Sequence, residues 1–147
     1  VSWYDGFKEE LYLHEFSPDP HFRASIGIEA DARLITIRPP GIIGNYHDPR
    51  SEAICAEIIR RAAGDPENHL VILPKTRLEL EFVREVLPSA PRARIMIPEK
   101  ALPGLQLLHA SDLAISGGGT MNRESALLGV RTYSIFTGRR ALIDEEL

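Results

Sequence analysis

Residues 112–129, Asp-Leu-Ala-Ile-Ser-Gly-Gly-Gly-Thr-Met-Asn-Arg-Glu-Ser-Ala-Leu-Leu-Gly, bring together the groups best suited to hold an anion. Gly117, Gly118 and Gly119 leave three successive backbone N–H groups with no Cβ to cover them. The pattern predicts a short buried strand before the glycines and a helix after them, closed by Gly129. The first turn of a helix holds four N–H groups without an intrahelical acceptor, and the positive end of the helix dipole stands behind them. Phosphate is the usual occupant of such a place. Ser116 and Thr120 flank the glycines with hydroxyls. Thr120 reads either as the helix N-cap or as a phosphate ligand. Glu124 reads as a first-turn carboxylate that favours the dipole, or as an acceptor for a ribose diol. Asn122 and Arg123 are expected on the exposed face of the helix, within reach of a crevice.

Further cations and hydroxyls follow the other predicted strands by a few residues: Arg38, Lys75, Lys100, Thr137 and Arg139. Groups that follow parallel strands share one edge of the sheet. A chain of net charge -4 thus gathers positive charge and hydroxyls where a diphosphate needs them.

The elements that must position these groups alternate along the chain. Residues 1–16 mix Trp3, Tyr4, Phe7, Tyr12 and Phe16 with charge and no period, and read as a connector that packs on a neighbour. A short helix is expected over His21–Ile26, ended by Gly27. Strands are expected at Leu34–Ile37, His69–Leu73, Arg94–Ile97, Leu113–Ser116 and Arg131–Phe136. Helices between them start at Asp48-Pro49 and run to Ala63, then span Thr76–Leu87 and Pro103–His109, with a last helix opening near Thr137. Ile54, Ile58 and Ala62 are expected on the buried face of the first of these, and Leu80, Val83 and Leu87 on that of the second. Strands and helices of these lengths imply right-handed βαβ units and a three-layer, Rossmann-like α/β fold. The nearly continuous apolar strands suit a parallel sheet covered on both faces. With the common order 3-2-1-4-5, the ligand crevice falls between the loops 38–46 and 116–121, at the point where strand order reverses.

Composition narrows the function. At 147 residues, 44% hydrophobic and 26% charged, the chain is one globular domain. Its acidic balance argues against nucleic acid as a partner. Cys55 is the single cysteine, so no internal disulfide forms and a reducing, cytoplasmic compartment is the expectation, with Cys55 as packing. No apolar run approaches the roughly 18 residues of a membrane span, and no signal peptide opens the chain. The five histidines show no metal-ligand spacing, and G-x-G-x-x-G, P-loop and G-x-S-x-G motifs are absent. The start at Val1 and the stop at Leu147 inside an expected helix read as those of a piece of a longer protein.

The run Ala110–Thr120 with Glu124, Ala126 and Gly129 resembles the carboxyl-terminal half of a GT-B fold protein. It is similar to the UDP-N-acetylglucosamine 2-epimerases and to the UDP-N-acetylglucosamine transferase of peptidoglycan synthesis. It is most similar to an uncharacterised prokaryotic family related to both, which shares the pieces Gly118-Gly119-Thr120-Met121, Arg123-Glu124 and Ala126-Leu127-Leu128-Gly129. That family's Gly-Phe-Lys-Glu connector is matched by residues 6–9, and its Leu-Pro-Arg/Lys by Leu73-Pro74-Lys75. The resemblance implies a nucleotide-diphosphate-sugar site, with the diphosphate on Ser116, Gly117, Gly118, Gly119 and Thr120, the ribose on Glu124, and Arg38 facing them. The nucleotide sugar is a substrate there, and no resident cofactor or metal is implied. The epimerases' His-Arg-Arg-Glu-Asn run is replaced here by Ile37-Arg38-Pro39-Pro40-Gly41, and their Ser-Gly-Gly-x-Gln-Glu-Glu run is stretched.

Three readings follow. In the first, residues 17–147 are the donor-binding half of a glycosyltransferase-like protein, joined through residues 1–16 to an amino-terminal domain of the same protein that carries the acceptor site and any general base. In the second, the whole protein is an epimerase or hydrolase on the same nucleotide sugars. In the third, the chain is a non-catalytic Rossmann-like module that forms a homodimer through Trp3, Tyr4, Phe7 and Phe16.

Overall fold

The computed structural model describes residues 6–43 and 47–138. Trp3, Tyr4, Arg139, the end of the loop after the first strand and the expected last helix lie outside the described residues.

Five strands, β1 (Arg33–Arg38), β2 (Asn68–Ile72), β3 (Arg94–Met96), β4 (Leu113–Ser116) and β5 (Thr132–Ser134), form one parallel sheet in the order β3-β2-β1-β4-β5. Helices α1 (Glu10–Leu13) and α2 (Phe22–Ser25) precede the sheet. Helices α3 (Pro49–Ala63), α4 (Arg77–Val86), α5 (Gly104–Ala110) and α6 (Gly119–Leu127) cross between strands. Both the Rossmann-like class and the strand order agree with the sequence reading. β5 is shorter than expected.

The layers follow from the period of two along each strand. Ile35 and Ile37 of β1 point to one face and pack with Leu70, Ile72, Cys55, Ile59 and Val83. Leu34 points to the other face and joins Phe22, Ile28, Val71 and Leu107. Thr36 shares that second face, where its buried hydroxyl meets Ser111 Oγ at 2.7 Å, and Ser111 Oγ also donates to the Leu107 carbonyl. β1 is therefore apolar on both faces because helices cover both.

The buried stripe of α3 is rotated from the expected one. Ser51, Cys55, Ile59 and Ala63, with Ala56, face the sheet, while Ile54 is 42% exposed. Ile58 and Ala62 sit at the margin of the core. Both stripes have helical spacing, about 100° apart. The smaller side chains win the contact face because they let the helix approach the sheet, leaving Ile59 as the one large side chain inserted. In α4, Val83 and Val86 are buried, whereas Leu80 and Leu87 are half-buried.

Ile59→Ala should cost about 2–5 kcal/mol of unfolding free energy. Ile54→Ala, on the same helix, should cost less than about 1 kcal/mol. Urea denaturation of the two variants measures both; equal losses would contradict the observed helix rotation.

Candidate functional site

The strands all end at one edge of the sheet, and the loops leaving β1 and β4 meet there. Arg38 is paired in register with Ser116. After Ser116 the chain turns sharply, and the turn is closed by the Ser116 hydroxyl, which accepts the Gly118 N–H at 2.9 Å. Ser116 is fully buried. Its hydroxyl thus braces the turn from inside and does not line the cleft. Gly117 lies against Pro40, so closely that a Cβ there would sit 2.7 Å from the Pro40 Cα.

Helix α6 begins at Gly119 with Gly118 as its N-cap. Of the two readings of Thr120, cap and phosphate ligand, the cap does not hold, because the helix starts earlier; Thr120 is an exposed residue of the first turn. Glu124 is likewise not in the first turn. It lies in the second, and the first turn of α6 holds no acidic residue. Gly129, at φ +76°, follows the helix in the left-handed conformation that suits its end.

The three longer helices that start at this edge differ in what satisfies their amino termini. At α3 the Asp48 carboxylate accepts the Arg50 N–H, with proline at the first position. The Arg50 and Thr137 hydrogen bonds hold the Asp48 carboxyl well below its usual range. At α4 Thr76 Oγ1 accepts the Glu79 N–H, and the buried Glu79 carboxylate accepts the Lys75 N–H. Those two termini already hold a side-chain acceptor, and each has a carboxylate beside it. At α6 no side chain caps the helix.

A cleft of about 410 Å³ opens on this terminus, lined by Arg38, Pro39, Gly41, Ile43, Lys75, Thr76 and Glu79 on one side and by residues 117–121 on the other. Among the described residues, Arg38 and Lys75 make no ion pair or side-chain hydrogen bond. Of the residues singled out from sequence, the cleft therefore brings together Arg38, Lys75, Gly117, Gly118, Gly119 and Thr120. Lys100 is not among its lining residues. Thr137 shares a hydrogen bond with Ser51 Oγ at 2.8 Å instead.

A second depression, of about 460 Å³, lies at the opposite edge, around Glu29, Asp31, Arg33, Glu67, His69 and Arg94. Its arginines are already engaged: Arg33 with Asp65 at 2.9 Å and Glu67 at 2.8 Å, and Arg94 with Glu29. It offers an anion little.

Glu124 stands outside the cleft lining and accepts a hydrogen bond from Tyr12 Oη at 2.6 Å. Arg123 is not the exposed residue expected. Its side chain is 13% exposed, and its Nε donates to Oε1 of the fully buried Glu9 at 2.9 Å. Asn122 is half-buried, with its Oδ1 buried and unpartnered among the described residues. The connector aromatics within the described residues pack on this same chain: Phe7 and Phe16 are half-buried, and Phe16 meets His109 ring to ring at 5.7 Å. Sequence reasoning missed the Glu9–Arg123 pair because no local spacing marks partners 114 residues apart. Cys55 is buried, and burial followed by the charge of Glu52 pushes its thiol up to about 12, as suits packing. Among the described residues no helix is long and apolar enough to cross a membrane, and no cluster of histidine, cysteine and acidic residues could hold a metal.

Residues 12–147 match the family model described as "Protein of unknown function (DUF354)". The chain is 31% identical over 130 residues to the uncharacterised protein MJ0665 of Methanocaldococcus jannaschii, covering 88% of this chain and 35% of that protein. It therefore spans about a third of the length of the curated relative it matches. In structure it is similar to UDP-GlcNAc 2-epimerase from Neisseria meningitidis, solved bound to UDP-GlcNAc, with TM-score 0.59, 20% identity, and coverage of 76% of this chain and 30% of that one. A protein of Listeria monocytogenes aligns with TM-score 0.50 and 21% identity over 71% of this chain and 28% of its own. These likenesses show the fold, a Rossmann-like domain of the GT-B type.

The glycine turn makes separable demands. Gly117→Ala should destabilise the protein by about 1–3 kcal/mol, since the Pro40 backbone must move to admit the methyl group. At Gly118 the nearest atom to an added Cβ is Ser116 Oγ at 3.8 Å, so Gly118→Ala should change stability by less than about 1 kcal/mol. Chemical denaturation of both variants distinguishes a turn closed by Pro40 from a merely flexible one.

Proposed function

The chain belongs to the DUF354 family, and we propose that it uses the cleft at the carboxyl edge of its sheet to bind the diphosphate of a nucleotide sugar, as the donor-binding part of a glycosyltransferase-like protein. The observation that carries this reading is the α6 amino terminus. Among the described residues, it is the one of the three longer helix starts at this edge that no side chain caps, and the cleft in front of it contains two cations without partners there. Backbone N–H groups from Gly119 onward, the Thr120 hydroxyl and the Arg38 guanidinium supply donors around one space. A diphosphate carries enough charge and acceptor atoms to use them together.

Glu124 extends the site along the helix. Thr120 and Glu124 are four residues apart, so they stack on one face. Helical side chains lean toward the amino terminus, which directs Glu124 back toward the cleft. A carboxylate there accepts from the hydroxyls of a ribose whose diphosphate lies at the first turn. In the transfer reaction, cleavage of the bond between sugar and diphosphate leaves additional negative charge on the leaving group. The α6 N–H groups and Arg38 stabilise that charge without covalent chemistry, and the acceptor and any general base come from elsewhere in the full-length protein.

A second reading, nucleotide-sugar epimerisation, is favoured by the structural likeness to an enzyme of that name. The His-Arg-Arg-Glu-Asn run of those enzymes is replaced here by residues 37–41, which is why transfer stands first. Incubating the full-length protein with UDP-GlcNAc and no acceptor separates the two, since an epimerase releases UDP or isomerised sugar under those conditions.

Uridine is the first base to try, because the similar Neisseria structure holds UDP-GlcNAc. Calorimetric titration of the full-length protein with UDP should show binding that weakens as salt is raised. Arg38→Ala should reduce the affinity by about 10-fold or more, the size of one lost charge-assisted hydrogen bond. Absence of heat with UDP and UDP-sugars at millimolar concentration would sink the proposal.

A further inference from the structure

Helix α1 and the residue that caps it make two contacts with α6, at consecutive residues of that helix. Glu9 is fully buried and accepts from Arg123 Nε at 2.9 Å. Tyr12, nearly one helical turn later, donates its phenolic hydrogen to Glu124 Oε1 at 2.6 Å. The first contact fixes where α1 lies, and the second follows from it. A buried charge cannot leave its partner cheaply, so the Glu9–Arg123 pair specifies the placement of the connector. Tyr12 is 39% exposed, which leaves space for a ligand beside the hydrogen bond.

We propose that Tyr12 is a positioning residue of the nucleoside subsite, orienting the Glu124 carboxylate to receive the ribose diol. This rests on the reading of Glu124 as the ribose ligand. An ionised carboxylate offers about four lone-pair sites. Tyr12 uses one on Oε1, and the remaining three are enough for two sugar hydroxyls. A glutamate on a helix surface samples several rotamers, and ordering it on binding weakens the complex. The phenol of Tyr12 removes that cost beforehand by holding Oε1 at one place. It remains a donor throughout the neutral range, because desolvation and the Glu124 bond hold its pKa above the usual phenol value. The distance along α6 suits the role, since Glu124 stands about 6 Å beyond Thr120 along the axis. Residues 6–16, outside the sheet and its crossovers, thereby contribute a side chain to ligand recognition.

The experiment compares UDP with 2′-deoxy-UDP, which lacks one hydroxyl of the diol, on full-length wild-type protein and Tyr12→Phe. The phenylalanine keeps the ring and removes only the donor. Wild-type protein should prefer UDP. In Tyr12→Phe the affinity for UDP should fall about 3- to 10-fold, as for one lost hydrogen bond, while 2′-deoxy-UDP changes less than about two-fold, so that the preference shrinks. A purely structural role for Tyr12 would lower both affinities together and overturn the assignment. An unchanged preference, or tighter UDP binding in the variant, overturns it too, the latter by showing that Tyr12 competes with the ribose. Wild-type protein that binds neither nucleotide overturns the diphosphate reading and this one with it. UDP binding with an unaltered ratio overturns the Tyr12 assignment alone.

Discussion

The Pro40 backbone passes so near Gly117 that no side chain fits between them, and the geometry of the cleft depends on that approach. It joins the loops that leave β1 and β4, the two strands flanking the point where strand order reverses. Loops at such a point normally diverge, because the helices that follow them cover opposite faces of the sheet. Here they touch at one place and separate beyond it, with Arg38 on one wall and the start of α6 on the other. A wider spacing would leave Arg38 too far away to share an anion with the helix terminus.

The electrostatic design is one of contrast. Most of the described arginines lie in ion pairs, including Arg23 with Asp112, Arg33 with Asp65 and Glu67, Arg50 with Asp48, and Arg61 with Glu57. These are largely exposed and add little to stability. At the cleft the pattern reverses: Arg38 and Lys75 face a helix terminus with no acid in its first turn. Among the described residues, the one carboxylate lining the cleft, Glu79, is buried and holds the Lys75 N–H. Like charges gathered at a positive dipole end repel one another, and a bound anion relieves that repulsion. On the proposed reading, any preference of this cleft for anions comes from local placement of charge and not from the net charge of the chain.

Much of this was legible in the sequence. The strands were readable because they are β-branched, nearly continuous and bounded by proline or glycine, and their order is the common one for parallel sheets of this class. Gly117–Thr120 and Arg38 could be assigned to one crevice for the same reason. What sequence could not resolve were differences of a residue or one helical turn. The face of α3 turned by about 100°, because Ile54 and Ile59 both fit a helical period and only packing against the sheet separates them. The cap reading of Thr120 gave way to Gly118, since a cap is decided by where the turn ends, and the Ser116 hydroxyl closes this turn two residues early. Ser116 was placed on the diphosphate by the family resemblance and its position at the strand end, while its burial was invisible. The connector contacts were the least legible. Glu9 and Tyr12 reach Arg123 and Glu124 across more than a hundred residues, and no periodicity encodes such pairs.

Those contacts also explain why the glycine run has three members. Gly117 is demanded by Pro40. Gly118 places its N–H on Ser116 Oγ and caps α6 without a side chain of its own, so the terminus stays open. Gly119 makes room for Arg123: a Cβ there would lie 2.7 Å from Nη1 of its guanidinium. A flexible arginine could swing aside, but this one is held by a buried carboxylate, and moving it would strand the charge of Glu9. The three glycines thus answer three different neighbours: the loop facing α6, the turn itself and the arginine that anchors the connector. A run that first reads as one phosphate loop is also the place where the β1 loop, the α6 terminus and α1 are fitted together. Whatever binds at the α6 terminus meets a surface shaped by all three.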